Sequence, residues 1–239
     1  VPFVPQFDIA FGRFDVTARG RLRYDHADRL EPGEPGQAAI GHLSRRQFQG
    51  DRFEAELREF YVDFDLGDAA FRLGKQQVVW GQADGLKILD VVNPQSFSEF
   101  ILDDFESSRI PLWMMNAEFP LAGGTLQLLM VPDQTYHDVP APGAAFAPFV
   151  YTPVASTTAD TADLDLDLSF APVEKPDRGL RDADAGFRYS LFADSWDLTF
   201  NYLSHYDDFP VVRQRLYGPD AVVIETSYER THLVGATAV

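Results

Sequence analysis

Cysteine is absent from the 239-residue chain, which excludes a disulfide framework and a thiolate zinc site. No apolar run approaches the roughly 18 residues that mark a transmembrane helix. Basic residues are few: 20 Lys and Arg stand against 37 Asp and Glu, a net charge of −17. That balance argues against a nucleic-acid partner, which needs a basic footprint. "LGKQQ" lacks the Gly-rich lead-in of a phosphate loop, and neither a G-x-S-x-G elbow nor an H-E-x-x-H pair occurs. The histidines, His26, His42, His137, His205 and His232, lack metal-ligand spacing, and His205 is a candidate for an interior wall. Asp163, Asp165 and Asp167 share one face of "TADTADLDLDLSF". Without an EF-hand pattern they read as a solvated acidic hairpin. No cofactor and no metal site is expected, and the chain is not expected to be an enzyme.

What is present is alternation. From Arg13 to Tyr24, Phe14, Val16, Ala18, Gly20, Leu22 and Tyr24 oppose Arg13, Asp15, Thr17, Arg19, Arg21 and Arg23, the period-two pattern of a strand with one wet face. Strands are expected over Asp8–Tyr24, Arg52–Asp65, Ala69–Val79, Pro111–Phe119, Thr125–Val131, Ala185–Ala193, Trp196–Tyr206 and Tyr228–Val239. In the second, Phe53, Ala55 and Leu57 have one parity and Phe60, Val62 and Phe64 the other. Either a bulge near Arg58-Glu59 switches the phase or the upper end projects beyond a membrane.

The connections alternate long and short. "DLGDA", "PLAGG" and "ADS" are tight turns, while Asp25–Asp51, Gln82–Arg109, Pro132–Asp184 and Asp207–Ser227 are long. Antiparallel transmembrane barrels have this rhythm, with short periplasmic turns and long extracellular loops. The expected fold is therefore all-β: an antiparallel transmembrane β-barrel, partial, with about eight strands seen and a short helical inserted loop. Residues 1–239 form one barrel domain, with an inserted helical loop at 82–109 and a long extracellular loop at 132–184. Phe14, Val16, Leu22, Phe187, Leu198 and Phe200 are expected to face lipid. A soluble β-rich binding or adhesion domain is the alternative; it would bury Phe14, Phe187, Trp196, Phe200 and Tyr202 in one core. An outer-membrane hydrolase is a third reading.

The stretch from Gly74 to Phe119, "GKQQVVWGQADGLKILDVVNPQSFSEFILDDFESSRIPLWMMNAEF", resembles a signature block of the Gram-negative outer-membrane family of domain of unknown function 1302. The positions that carry the resemblance are Gly74, Lys75, Gln76, Trp80, Gly81, Asp90, Asn93, Pro94, Arg109, Ile110 and Pro111. Gln82 departs from the acidic residue expected after "WG". The resemblance implies a large barrel that passes small or hydrophobic organic compounds through the outer membrane, and it supplies no catalytic residues. Its implied partners are outer-membrane lipids, a small-molecule or hydrophobic solute, and the barrel-assembly machinery. The opening "VPFVPQF" has no basic n-region and the final "HLVGATAV" has no terminal aromatic residue. Either a leader was removed ahead of this opening or the chain begins inside a longer protein, and the ending suggests the first part of a larger barrel.

Helical turns are expected inside the insertion. Asp84 can cap one helix, Asn93 a second with Pro94 at its first position, and Ser96 and Glu99 have capping-box spacing. Apolar Leu86, Leu89, Phe97, Phe100 and Ile101 need cover, and the interior wall offers it. The acidic side chains Asp84, Asp90, Asp103, Asp104 and Glu106 would meet Arg13, Arg19, Arg21, Arg23 and Arg72 on the expected lumen faces. Two roles stay open for these constriction candidates: pairing that holds the loop down, and tuning of solute selectivity.

Overall fold

The computed structural model describes residues 2–24, 26, 40–50, 52–81, 89–97, 105–139, 167–176, 179–217 and 221–239. The strands are β1 (Gln6–Phe11), β2 (Phe14–Tyr24), β3 (Phe48–Gln49), β4 (Phe53–Leu66), β5 (Ala69–Gln76), β6 (Leu112–Leu121), β7 (Gly124–Val131), β8 (Asp167–Phe170), β9 (Asp184–Ala193), β10 (Trp196–Tyr206), β11 (Val211–Tyr217), β12 (Ala221–Ser227) and β13 (Arg230–Ala238). One antiparallel sheet has the order β1-β2-β4-β5-β6-β7-β9-β10-β13, with β3 pairing to the start of β4. It does not close on itself. A smaller sheet, β11-β12-β8, is built from the connections between β7 and β9 and between β10 and β13. The fold is all-β and antiparallel in its main sheet, consistent with a partial barrel.

Two expectations on strand limits need correction. The segment Asp8–Tyr24 is a hairpin, turned at Gly12 with φ 63°, a conformation that Gly adopts without steric cost. Phe11 pairs with Phe14 across the turn. Arg13 therefore sits in that turn, 5.1 Å over the Phe14 ring, away from the wall it was expected to line. The 207–227 connection is not plain loop, because it holds the β11–β12 hairpin.

The phase change in β4 is a bulge. Arg19 pairs with Glu59 but Gly20 pairs with Leu57, leaving Arg58 as the extra residue. A second change sits in β5 at Gly74, whose φ is 134°. A Cβ there would lie 2.2 Å from the Phe60 carbonyl oxygen and 2.7 Å from Tyr61 Cα. Only glycine lets those backbones approach so closely. Past it Lys75, only 2% exposed, turns to the charged side and donates to the Leu57 carbonyl at 2.8 Å.

The two faces of the sheet differ sharply. The outer face is apolar across every strand: Phe7, Ile9, Phe60, Leu73, Met115, Leu128, Leu198, Phe200 and Val234 are all exposed. Near the short turns, ring contacts run Phe14–Phe64 at 5.6 Å, Phe64–Phe71 at 5.4 Å and Phe71–Phe119 at 5.8 Å, a band crossing four strands. The inner face is polar or charged near the short turns. Toward the long connections it is covered by residues 77–81 and 89–97. Trp80, fully buried, packs there with Val78, Val92, Leu112, Met114, Leu129, Val131 and Leu203.

Candidate functional site

The site is the interior that the insertion fills. Two of its side chains fix the insertion to the sheet. The Trp80 indole N–H donates to Gln127 Oε1 at 2.8 Å, and the ring lies over Gly186, where an added Cβ would meet it at 3.0 Å. Asn93, 1% exposed, accepts from the Val78 N–H at 2.7 Å and donates to the carbonyls of Ile110 at 3.0 Å and Gln76 at 3.3 Å. It ties together the strand leaving β5, the insertion and the strand entering β6. This corrects the expected helix: residues 89–97 are not helical. Gln95 bridges to Arg109, and Ser96 bridges to Asp138. Ser96 Oγ donates to Asp138 at 3.2 Å, where a capping box would have used the Ser96 hydroxyl within its own helix. Among the described residues the insertion's one helical turn is Phe105–Ser108.

Beside it lies a ladder of buried charge. Arg21 meets Glu56 at 2.6 Å and Arg23 meets Glu54 at 2.8 Å, each pair directly opposed across β2 and β4. Arg46 reaches Glu54 at 3.4 Å and Asp138 at 3.0 Å. Arg58 lies 3.6 Å from Glu56 and donates to the Arg109 carbonyl at 2.6 Å. Asp133 accepts from Ser44 at 2.5 Å, Thr135 at 2.7 Å and the Trp113 N–H at 3.1 Å. Burial holds the Asp138 carboxyl above its ordinary range despite Arg46 and Ser96. Breaking one partner of such a buried pair is costly because it strands the other charge.

Among the described residues the wall's arginines meet strand carboxylates, not the acidic loop they were expected to pair with. Arg21 pairs with strand carboxylates. Arg19 lies 3.8 Å from Glu59 and donates to Gln6 at 3.2 Å. Arg72 is held by Asp63 at 2.6 Å and stacks on Tyr61 at 4.1 Å. Asp90 is the insertion carboxylate whose partner is seen, and that partner is Arg109 of the same insertion, at 2.6 Å. Asp84, Asp103 and Asp104 lie outside the described residues, as do most of the two proposed helices. Glu106 falls in the helical turn. The signature positions converge: Gly74 sets the strand phase, Gln76, Asn93, Ile110 and Pro111 meet at one junction, and Trp80 fills the interior.

An open cavity of about 610 Å³ remains between the insertion, the 205–208 segment and the edge strand β13. Asp90, Phe97, His137, His205, Asp207 and Asp208 are among its lining residues. Phe97 packs against His137 and Phe209, with ring centroids 5.3 and 6.2 Å away. His137 Nδ1 accepts from the Gln95 N–H at 2.8 Å, which fixes the neutral ring. Burial, together with the Asp184 and Asp207 carboxylates, pushes Asp208 well above the ordinary carboxylate range. Of these, His205 was legible as an interior residue from strand parity. His137, Asp207 and Asp208 were missed, because they stand in connections that carry no periodicity.

The chain belongs to a family described as a protein of unknown function, DUF1302, whose model matches residues 3–239. The match extends well beyond the Gly74–Phe119 block. No curated protein and no solved structure matches the chain.

Proposed function

We propose that this member of the DUF1302 family is part of an outer-membrane β-barrel of a Gram-negative bacterium that passes small or hydrophobic organic compounds, with the insertion narrowing its interior. One observation carries the reading: a continuous apolar outer face backs onto a charged inner face within a single sheet. In water the outer face is unfavourable. Phe7, Phe200 and Val234 are 66, 45 and 65% exposed, and each Å² of such surface withheld from water is worth about 25 cal/mol. Among the described residues no second layer covers it, so the buried core required of a soluble β domain is missing there. Lipid is the solvent that suits the face, and the 10- and 11-residue strands β6, β9, β10 and β2 match the span of a tilted membrane strand. Among the described residues β1 and β13 are unpaired on one side, and in this reading further strands close the barrel there. The apolar face contacts lipid, and the barrel-assembly machinery inserts it. The chain works by passage rather than catalysis.

The test uses the full-length protein, purified in detergent and reconstituted. Fractionation of the native cells should place it with outer-membrane markers. Planar bilayers containing it should show discrete conductance steps. A protein recovered in the soluble fraction, or one that leaves bilayers electrically silent at every protein concentration, would refute the reading.

A further inference from the structure

The cavity beside β13 has a composition that its surroundings do not explain. Asp90, Asp207, Asp208, His137, His205 and His232 line it, and no Lys or Arg is among its described lining residues. Arg109 neutralises Asp90 through Oδ2, but the buried Oδ1 of Asp90 has no hydrogen-bond donor. Asp207 accepts from the Phe209 N–H at 3.0 Å. The Asp208 carboxylate, partly buried, accepts from no donor and pairs with no cation among the described residues, while Asp184 and Asp207 repel it. Elsewhere in this interior the Arg and Glu side chains meet in opposed pairs, so the carboxylate excess here is local.

We propose that this cavity binds an organic cation carrying an aromatic or apolar body. Positive charge answers the unopposed carboxylates, which an anion or a neutral solute would leave desolvated and unpaired. The walls suit the body of such a molecule. Phe97, backed by Phe209 and the neutral His137 ring, presents aromatic surface, and Leu233 and Val91 supply apolar contact. A cation against aromatic faces gains further attraction. A bare metal ion fits less well, because no three metal-ligating side chains converge among the described residues. The inference rests on the reading of this interior as a solute path, and names the class of solute.

Phenyltrimethylammonium, its neutral isostere tert-butylbenzene, and benzoate serve as probes, titrated calorimetrically into the folded full-length protein in detergent. Phenyltrimethylammonium should bind about tenfold or more tighter than either comparison. Asp208→Asn should weaken it about tenfold, the scale of losing one charge–charge contact at a partly screened site. Phe97→Leu should weaken it roughly three- to thirtyfold. If Asp208→Asn does not fold, Asp207→Asn carries the same expectation. Equal binding of benzoate, or unchanged affinity in a folded Asp208→Asn protein, overturns the proposal. Conductance measured in parallel separates the two readings. A conducting protein that binds no probe loses the cation site alone. A silent protein that binds phenyltrimethylammonium keeps the site and loses the channel.

Discussion

Asn93 distinguishes two accounts of the insertion, because a helix cap and an interior strut respond differently to the same substitutions. As a cap, Asn, Asp and Ser are nearly equivalent, so Asn93→Asp should change stability by a few tenths of a kcal/mol. As a strut, Asn93 accepts one bond and donates two, at 2.7, 3.0 and 3.3 Å. Asn93→Asp keeps the bond from the Val78 N–H but turns a carboxylate oxygen toward the carbonyls of Gln76 and Ile110. Asn93→Ala strands the buried Val78 N–H, at about 1–3 kcal/mol, and removes two further bonds at about 0.5–1.5 kcal/mol each. The expected loss is roughly 2–6 kcal/mol for Ala, with Asp at least as damaging. Urea titration of the full-length protein in lipid vesicles, followed by tryptophan fluorescence, measures both. An Asn93→Asp protein as stable as the parent would refute the strut and restore the cap.

Three other outcomes are expected. Gly74→Ala should prevent correct assembly or cost roughly 3 kcal/mol or more, since φ 134° is strained for any L side chain and the new Cβ meets sheet backbone at 2.2 Å; refolding yield and urea midpoint report it. Leu198→Arg, on the outer face, should cost roughly 2–4 kcal/mol if that site lies near the bilayer midplane, whereas a cost near zero in vesicles would place the face in water. Trp80→Ala should cost roughly 3–5 kcal/mol through the void it leaves and should raise single-channel conductance; unchanged conductance in a folded variant would put the ring outside the permeation path.

Much of the wall was legible because strand parity is a local property. The Arg58 bulge announced itself as a switch from Phe53, Ala55 and Leu57 to Phe60, Val62 and Phe64. The same kind of signal marked the Gly12 turn: apolar Phe7, Ile9 and Phe11 are odd, and Phe14, Val16 and Ala18 even. That switch was the evidence for a hairpin, and a single strand over Asp8–Tyr24 overlooked it. Gly218-Pro219-Asp220 between "VV" and "AVVI" was a comparable turn signal for β11 and β12. Partners were harder to read than faces. Arg21 and Arg23 could be placed on the inner face, but choosing Glu56 and Glu54 over the insertion's acids needs the register of β2 on β4, which no local pattern encodes. Asn93-Pro94 is locally a good helix start. It is overridden because three backbone groups at the β5–β6 junction would otherwise be buried without partners.

The charge pattern links wall, insertion and cavity. A face that carries Arg21, Arg23, Arg46, Arg58 and Lys75 would repel the approach of a cation if it were bare. It is not bare, because Glu54, Glu56, Glu59, Asp133 and Asp138 stand among these groups in equal number, with contacts as short as 2.6 Å. Pairing of this kind cancels the field beyond a few ångströms. What remains at longer range is the acidic excess of the cavity, where Asp207 and Asp208 stand near Asp184, whose own partner is Arg230 at 4.0 Å. The insertion controls that remainder. Arg109, which re-enters the wall ahead of Pro111, spends its charge on Asp90 at 2.6 Å and leaves the pair at 207–208 unanswered. An Arg109→Gln protein should therefore bind phenyltrimethylammonium more tightly, by about tenfold on the scale of one added unpaired charge, with Asp90 now facing the cavity unneutralised. Weaker or unchanged binding in a folded Arg109→Gln protein would show that the cavity field is set elsewhere.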